Sequence, residues 1–274
     1  MAILAGPRPG SLTAQGGNET EDLIWRLEGL RIGYCVQLLV DSAAAAAELP
    51  AGFVPVRADR APALHPALRS VVEGQPEFLG WTPSRLCVYY LDAVEAGDIR
   101  VTNKSLRKSQ MIGVWSLTAA DAQYGGPQDL AVELLSGSGR LVSAAMRAGI
   151  PVREVRASMG KVPSVDDDGV PSTDDRYQFK RGKTLITWDG RPAGDSAAVE
   201  GAVESGWSAE GRRGGLWSAR MVLSPLTRRG MVGSIRIEGK DGFAKALKAS
   251  PIRFVGPLYQ GGGGEIKFSL GQGN

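Results

Sequence analysis

Most of the chain shows the pattern of β-strands, in which apolar and β-branched residues form short runs between turn residues. The run LRIGYCVQLLVD at 30–41 is one example, and MVGSIRIEG at 231–239 is another. Such runs are typical of strands that bury at least one face. About ten strands are predicted in this way. They include 30–41, 84–101 with a turn at 95–98, 109–121, 152–158, 176–188 with a turn at Arg181-Gly182, 215–224 and 231–239.

Helical patterns are few and short. The clearest lies at 140–148, where apolar residues share one helical face; Gly149 then offers a C-terminal cap and Pro151 forbids continuation. Two further helices are predicted at 42–50, where Pro50 ends an alanine run, and at 241–250. The proline-rich stretch 51–83 is predicted to be a long irregular connection.

The composition supports a β-rich fold. The 274 residues include 37 glycines and 16 prolines, which indicates many turns. Because the helices do not alternate regularly with the strands, we expect an α+β, β-rich class. Its architecture is predicted to be a large, mostly antiparallel barrel or sandwich with a central cavity and a few short helices. Residues 1–20 are predicted to form a flexible arm, and 21–274 a single β-rich domain.

Charge and hydropathy exclude two classes of partner. The net charge is only +3, and the basic clusters at 104–108 and 228–229 carry no interleaved aromatic residues, so we expect no nucleic-acid binding. No apolar run approaches the length of a membrane span or a signal peptide, so we expect no membrane partner and a cytoplasmic location. Cys35 and Cys87 lie in apolar segments; the pattern allows a disulfide but favours two buried thiols.

Familiar catalytic and metal-binding motifs are missing. His65 is the single histidine, so no triad or histidine metal cluster can form without it, and a surface or packing role is favoured. The acidic stretch 165–175 lacks the glutamate that closes a calcium loop and is predicted to be a solvated loop. The glycine-rich stretch 259–267 leads into a strand rather than the helix that a phosphate cradle needs. We therefore expect no metal and no cofactor.

The segment that follows the helix at 140–148 concentrates charge. If 152–157 is a strand, Glu154 and Arg156 share a face with Val152, while Arg153 and Val155 share the other. A buried Glu–Arg pair at a cavity would bind a carboxylate or an enol oxygen. An exposed, charged strand face is an equally good interpretation of the same residues.

The order of these features resembles the acetoacetate decarboxylase superfamily. The matching features near the start are Arg31, Asp41, the alanine run, Pro50 and the following AGF. Further along, Pro151 after MRAGI stands where the family carries a proline followed by two lysines. The resemblance covers about residues 30–190 in feature order. It implies that family's fold and a keto substrate, which the family binds through a lysine Schiff base.

The chain departs from that family where the Schiff base should form. Pro-Lys-Lys is replaced by Pro151-Val152-Arg153, and the preceding Gly-Arg-Glu by Ala144-Ala145-Met146. Valine has no amine and arginine stays protonated, so neither forms an imine. The family's cavity carboxylates are not clearly recovered: Cys87 falls near one of their places and 102–104 near the other. The resemblance therefore implies a divergent member that keeps the fold and loses this lysine.

These observations favour an enzyme that acts on a carbonyl-containing, polyketide-like or keto-acid molecule without a Schiff base. A cyclase, dehydratase or other lyase of secondary metabolism fits. Arg31 and Arg153 are expected to hold anionic oxygens and Glu154 to act as acid or base. The residues expected to line the substrate site are Tyr89, Trp115, Met146, Val152 and Cys87, with ordinary core as the favoured alternative for Tyr89 and Trp115.

Two alternatives remain open at this level. The first is a non-catalytic small-molecule-binding protein of the same fold. The second is a decarboxylase with a relocated lysine, for which Lys104, Lys161 and Lys183 are the candidates, although each is better explained as a solvated lysine. Such a lysine would need burial to lower its pKa. The sequence leaves the oligomeric state open, a homo-oligomer included.

Overall fold

The computed structural model contains fifteen strands and four α-helices in the part of the chain that it describes. The described residues are 23–62, 64–96, 99–102, 111–121, 125–147, 150, 152–166, 168–199, 207–210, 216–222, 226–250, 254–260 and 265–271. The strands are β1 (Leu23–Val40), β2 (Val54–Pro55), β3 (Thr82–Ala96), β4 (Ile99–Thr102), β5 (Met111–Asp121), β6 (Gly125–Ser136), β7 (Val152–Glu154), β8 (Arg156–Val165), β9 (Pro171–Arg181), β10 (Thr184–Val199), β11 (Trp207–Glu210), β12 (Leu216–Val222), β13 (Leu226–Glu238), β14 (Phe254–Gln260) and β15 (Glu265–Gly271). The helices are α1 (Ser42–Glu48), α2 (Pro66–Gly74), α3 (Gly139–Arg147) and α4 (Gly242–Ala249), with 3₁₀ turns at Ala58–Arg60 and Pro76–Gly80.

The strands form one continuous sheet that the long strand β1 folds back on itself. One edge of β1 pairs with β3, while the other pairs with β15 in its first half and with β14 in its second half. The pairings β1–β3–β5–β6–β11–β12–β15 thereby close into a ring, and β14–β13–β10–β9–β8 continue as a second branch. Only the β6–β7 and β6–β11 pairs are parallel among the described pairings. The predicted β-rich, mostly antiparallel architecture is confirmed.

The largest core lies between the β1–β3–β5–β6 sheet and the β8–β9–β10–β13 sheet. Its largest side chains are aromatic and fully buried. Trp115 of β5 packs against Phe243 of α4 with ring centroids 4.7 Å apart, and Phe179 meets Trp188 edge-to-face at 5.6 Å. The indole N–H of Trp115 donates to Ser84 Oγ at 2.8 Å, which satisfies its one polar group. Trp115 is therefore an ordinary core residue, which is the alternative that the sequence favoured over a role in lining the substrate site.

The proline-rich connection is more regular than its sequence suggested. Residues 66–74 form α2, and Pro66 occupies its first helical turn, where proline is tolerated because the N–H it lacks would have no helical partner. Leu68 and Val72 of this helix pack on Leu39 of β1. The prediction of an irregular connection over 51–83 is therefore wrong for this stretch. The helix at α3 and the hairpin between β9 and β10 are confirmed.

The strand alternation predicted for 152–157 is kept across the break between β7 and β8. Val152, Val155 and Ala157 are buried, whereas Arg153, Glu154 and Arg156 are exposed. The backbone N–H of Val155 donates to Ser136 O at 2.9 Å in the gap between β7 and β8. Val155 and Ala157 belong to the largest core, and Arg153 pairs with Leu135 of the same core, so these three residues share a face as a regular strand requires. Gly149 and Pro151 lie outside the described residues.

The two cysteines are bonded to each other. Cys35 of β1 and Cys87 of β3 are direct cross-strand partners, and their sulfurs form a disulfide. The prediction of two free thiols is therefore wrong; it lacked the information that β1 and β3 pair in this register. The predicted flexible arm at 1–20 lies outside the described residues. None of the four helices in the described part has the length and apolar character that a membrane crossing needs.

Candidate active site

Two adjacent residues of β7 face opposite sides of the sheet. Val152 pairs with Leu134 of β6, which pairs with Val114 of β5, which in turn pairs with Cys87 of β3. Residues paired across strands share one face of a sheet, so these four define what we name the apolar face. Arg153 alternates with Val152 and therefore faces the other side.

The apolar face is buried at Val152 and Cys87 and carries a disulfide. Val152 and Cys87 are almost fully buried. Tyr89, two residues after Cys87 on the same face, places its hydroxyl 3.6 Å from Cys35 Sγ. The position to which the family resemblance assigns a Schiff-base lysine is thus occupied by a buried valine among apolar side chains and a disulfide. None of these groups can form an imine.

The other side of β6 carries a buried carboxylate held by two arginines. Glu133 has only 6% of its side chain exposed. Its Oε2 lies 2.9 Å from Arg153 Nε, and its Oε1 accepts from Arg181 of β9 at 2.6 Å. The second terminal nitrogen of Arg181 reaches Asp241 at 3.3 Å. Glu48 Oε1 lies 2.7 Å from where a Cβ on Gly242, the residue after Asp241, would stand. We name Glu48, Glu133, Arg153, Arg181 and Asp241 the charged cluster.

The cluster is fixed by the start of α4. Asp241 is the N-cap of that helix: its Oδ1 accepts from Ala244 N at 2.8 Å, and its Oδ2 accepts from Thr184 Oγ1 at 2.8 Å. Arg181 also lies over the ring of Phe243, with its guanidinium carbon 5.3 Å from the ring centroid. These contacts hold the Arg181 guanidinium in one orientation between Glu133 and Asp241.

Two carboxyl groups of the cluster have shifted pKa values in opposite directions. Desolvation raises the pKa of Glu48 above its ordinary value, and the charges of Glu133 and Asp241 add to this. For Asp241, desolvation acts upward, but the hydrogen bonds from Ala244 and Thr184 and the charge of Arg181 outweigh it and lower the pKa. The two carboxyl groups are thus shifted apart: the pKa of Glu48 lies above its ordinary value and that of Asp241 below it.

Comparison with solved structures gives the fold. An acetoacetate decarboxylase-like enzyme from Sphingomonas wittichii RW1 covers 93% of this chain and 95% of its own length, with 10% identity and a TM-score of 0.51. The chain has an acetoacetate decarboxylase-like fold. Two further solved structures are less similar in TM-score. The enduracididine biosynthesis enzyme MppR has 14% identity, 100% and 98% coverage and a TM-score of 0.49. The acetoacetate decarboxylase of Legionella pneumophila has 10% identity, 98% coverage of both chains and a TM-score of 0.47.

Comparisons at the level of sequence add no family. No protein-family model and no curated protein sequence matches the chain. At the identities above, the structural likeness establishes the fold, and the chemistry has to be argued from the residues of this chain.

The acetoacetate decarboxylase-like fold separates the residues that the sequence grouped into one site. Cys87, Tyr89 and Val152 share the apolar face, whereas Trp115 and Arg153 face the main core and the charged cluster. The separation follows from strand alternation, which places neighbouring residues on opposite sides.

Met146 is half-buried in α3. Arg31 lies in β1 where the pairing with β3 shifts between Leu30 and Ile32, and its side chain lies outside the described part.

The expected buried Glu–Arg pair exists, but with a different glutamate. Arg153 contacts Glu133, whereas Glu154 is exposed. The Oε1 atom of Glu154 lies 3.0 Å from where a Cβ on Gly139 would stand, at the first residue of α3. A carboxylate at that place suits the positive end of the helix dipole. Of the two interpretations that the sequence left open, the exposed, charged strand face therefore holds for Glu154 and Arg156, and the buried pair with Glu154 does not form.

Two of the three lysines considered as a relocated Schiff-base lysine are exposed to solvent. Lys161 has 71% of its side chain exposed and lies 3.0 Å from Asp175, and Lys183 is exposed in the turn between β9 and β10. Lys104 lies outside the described residues. Among the described residues, no group of three or more His, Cys, Asp and Glu side chains is arranged to hold a metal ion.

Sequence reasoning missed four members of the charged cluster: Glu48, Glu133, Arg181 and Asp241. Glu133 had a visible signal, since a single carboxylate interrupts the apolar run LAVELL, which lies in β6. Arg181 was seen only as a turn residue. Its contact with Glu133 spans 48 positions and depends on how the two sheets pack.

Proposed function

We propose that this chain is an enzyme that acts on a small carbonyl-containing molecule, a keto acid or a polyketide-like compound, without forming a Schiff base. The reaction is a lyase, dehydratase or cyclase step of biosynthetic secondary metabolism. One observation carries the proposal: Val152 stands buried where the resemblance expects the lysine, while its neighbour Arg153 reaches the buried Glu133. The chain thus has no imine-forming group at this position and has an ionic site next to it.

Arg153 is proposed to hold the anionic oxygen of the substrate. Its contact with Glu133 uses Nε, and 60% of its side chain is exposed. The terminal nitrogens of the guanidinium therefore face solvent with two directed donors for a carboxylate or an enolate oxygen. Glu133 fixes the orientation of that guanidinium. Arg31 stays a second proposed holder of an anionic oxygen.

Glu48 is proposed as the acid–base group. Its raised pKa brings proton exchange closer to neutral pH than an ordinary glutamate allows. In the first step the C–H bond next to the substrate carbonyl breaks, the proton moves to the Glu48 carboxylate, and the electron pair moves onto the carbonyl oxygen beside Arg153. The protonated Glu48 then returns the proton to a leaving oxygen or to carbon. This proposal transfers the acid–base role from Glu154 to Glu48, because Glu154 lies away from the charged cluster.

The test is proton exchange and turnover of a panel of keto acids and 1,3-diketones, followed by NMR in D₂O. Arg153→Gln and Glu48→Gln are each expected to lower the exchange rate by about a hundredfold or more. Arg140→Gln and Glu73→Gln remove the same charges at exposed positions and serve as matched controls that keep the rate. Equal loss in variants and controls contradicts the assignment.

The same experiment also tests the alternative that the chain is a non-catalytic small-molecule-binding protein. A molecule of the panel that binds tightly and is neither exchanged nor converted supports a non-catalytic binding protein of this fold. A structural observation favours keeping this alternative: both oxygens of Glu133 are occupied by arginines, as in a purely structural ion pair.

A further inference from the structure

A separate groove lies on the outer surface of the β8–β9–β10 sheet, on the other side from the charged cluster. Its volume is about 510 Å³ and it is open to solvent. The residues that line it are Gly137, Glu154, Val155, Arg156, Ala157, Ser158, Gln178, Lys180 and Leu185. We name it the outer groove. Lys180 alternates with Arg181 along β9, so the two side chains leave the strand on opposite faces.

Two cations meet in this groove without a counter-charge. Arg156 and Lys180 are direct cross-strand partners of β8 and β9, and both are exposed. Like charges in that arrangement repel each other and destabilise a sheet. Within the described part of the chain, neither forms an ion pair. The carboxylate on the rim, Glu154, lies instead against Gly139 at the start of α3.

Elsewhere on the same outer face, opposed charges are matched. Arg176 of β9 and Asp189 of β10 are direct partners and bind each other through two contacts of 2.5 and 2.6 Å. Arg191 reaches Asp174 at 3.2 Å. The outer face thus pairs its arginines with aspartates along the sheet and leaves two neighbouring cations uncompensated only where the groove opens among the described residues.

The remaining lining of the groove is neutral. Ser158 Oγ donates to Gln178 Oε1 at 3.3 Å, and Gln178 Nε2 donates to Thr187 Oγ1 at 3.1 Å, so these polar groups already have partners. Leu185 pairs with Lys180 in the β9–β10 register and supplies an apolar wall beside the cation. The groove is therefore complementary to a ligand that has an anionic headgroup and a short apolar chain.

We propose that the outer groove binds a small organic anion, with its carboxylate or phosphate between Arg156 and Lys180 and its apolar part along Leu185. The bound anion relieves the repulsion between the two cations and forms charge-assisted hydrogen bonds with both. This site is independent of the proposed reaction, since none of its lining residues belongs to the charged cluster.

The binding test uses hexanoate and hexyl phosphate as probes and hexanol as the neutral control, followed by amide chemical shifts. Both anions are expected to saturate shifts in β8 and β9, more weakly at high salt, while hexanol does not. The tighter of the two anions identifies the headgroup. Arg156→Gln and Lys180→Gln are each expected to weaken binding about tenfold. Lys183→Gln, an exposed lysine outside the groove, leaves it unchanged. Absence of saturation, equal binding of hexanol, or equal loss in Lys183→Gln overturns the proposal.

A second measurement needs no ligand. Because Arg156 and Lys180 repel each other, neutralising either one is expected to leave Tm unchanged or to raise it. A fall of several degrees in both variants shows that the two side chains hold structural contacts, and overturns the proposal even if anions bind elsewhere.

Discussion

The two faces of β7 differ in chemistry although they are one residue apart. The apolar face around Val152 contains valine, leucine and a disulfide, and Val152 itself is almost wholly buried. The side that Arg153 faces contains a buried carboxylate between two arginines. The comparison shows how strand alternation places two chemistries at one point of the fold: one face has no amine, and the other has an ionic site.

The largest expected effect tests the apolar face. Replacing both Cys35 and Cys87 with alanine removes a cross-link that spans 52 positions. We expect a loss of about 2–4 kcal/mol in the free energy of unfolding, because the unfolded chain regains conformational freedom. Urea unfolding measures it. Thiol titration of the unfolded, unreduced wild type is expected to find no free thiol; two reactive thiols would contradict the bonded pair.

The next largest effect compares Glu133 of the charged cluster with Glu154, the exposed glutamate that follows Arg153 in the sequence. Glu133→Gln removes a buried charge that satisfies Arg153 and Arg181. We expect it to cost about 2–3 kcal/mol of stability, since breaking one side of a buried ion pair leaves the other side uncompensated. Glu154→Gln, an exposed glutamate, is the matched control and is expected to stay within about 0.5 kcal/mol of wild type. Equal costs for the two variants would remove the distinction between the two glutamates.

A smaller effect tests how α4 is anchored to the cluster. Asp241→Ala removes the N-cap and the contacts with Thr184 and Arg181. We expect a loss of about 1–2 kcal/mol, of which Asp241→Asn recovers the capping part. The folded-state pKa of Asp241 is lowered, so its ionic contribution is present above the unfolded value and is lost as pH falls through the folded value. A cost that stays the same down to pH 2 would contradict this ionic role.

The smallest effect has the opposite sign. The pKa of Glu48 is raised in the folded state, so the folded chain is destabilised once Glu48 ionises above that pKa. Glu48→Gln is therefore expected to raise Tm by about 1–2 °C at pH 8. The gain disappears below about pH 4, where the carboxyl is protonated in both the folded and the unfolded state. A gain that persists at pH 3 would show that the glutamine acts through packing instead.

Local signals in the sequence were sufficient for several elements of this fold. The hairpin between β9 and β10 follows from a glycine between two strand-like runs, and Gly182 has a φ of +56° there. The helix α3 followed by β7 was predicted from its apolar face and the residues after it. Helix α2 was missed because its prolines were counted as breakers, although Pro66 stands in the first turn, where proline is tolerated.

The site depended on information that no local pattern contains. Glu133, Arg153 and Arg181 come from three strands, and only the packing of the two sheets brings them together. The disulfide likewise required the register of β1 with β3. Strand alternation places Glu154 on the face opposite Arg153, so the glutamate that Arg153 meets comes from the neighbouring strand β6.

The most direct test of the central claim is borohydride reduction in the presence of pyruvate or acetoacetate, read out by intact mass, on the wild type and on Val152→Lys. The wild type is expected to gain no adduct, because a valine stands where the family resemblance places the Schiff-base lysine. The Val152→Lys variant, checked for folding by circular dichroism, is expected to gain one, since a buried lysine has a lowered pKa and is nucleophilic. An adduct on a wild-type lysine would contradict an imine-free chemistry, and a folded Val152→Lys variant without an adduct would contradict the assignment of Val152 to that position.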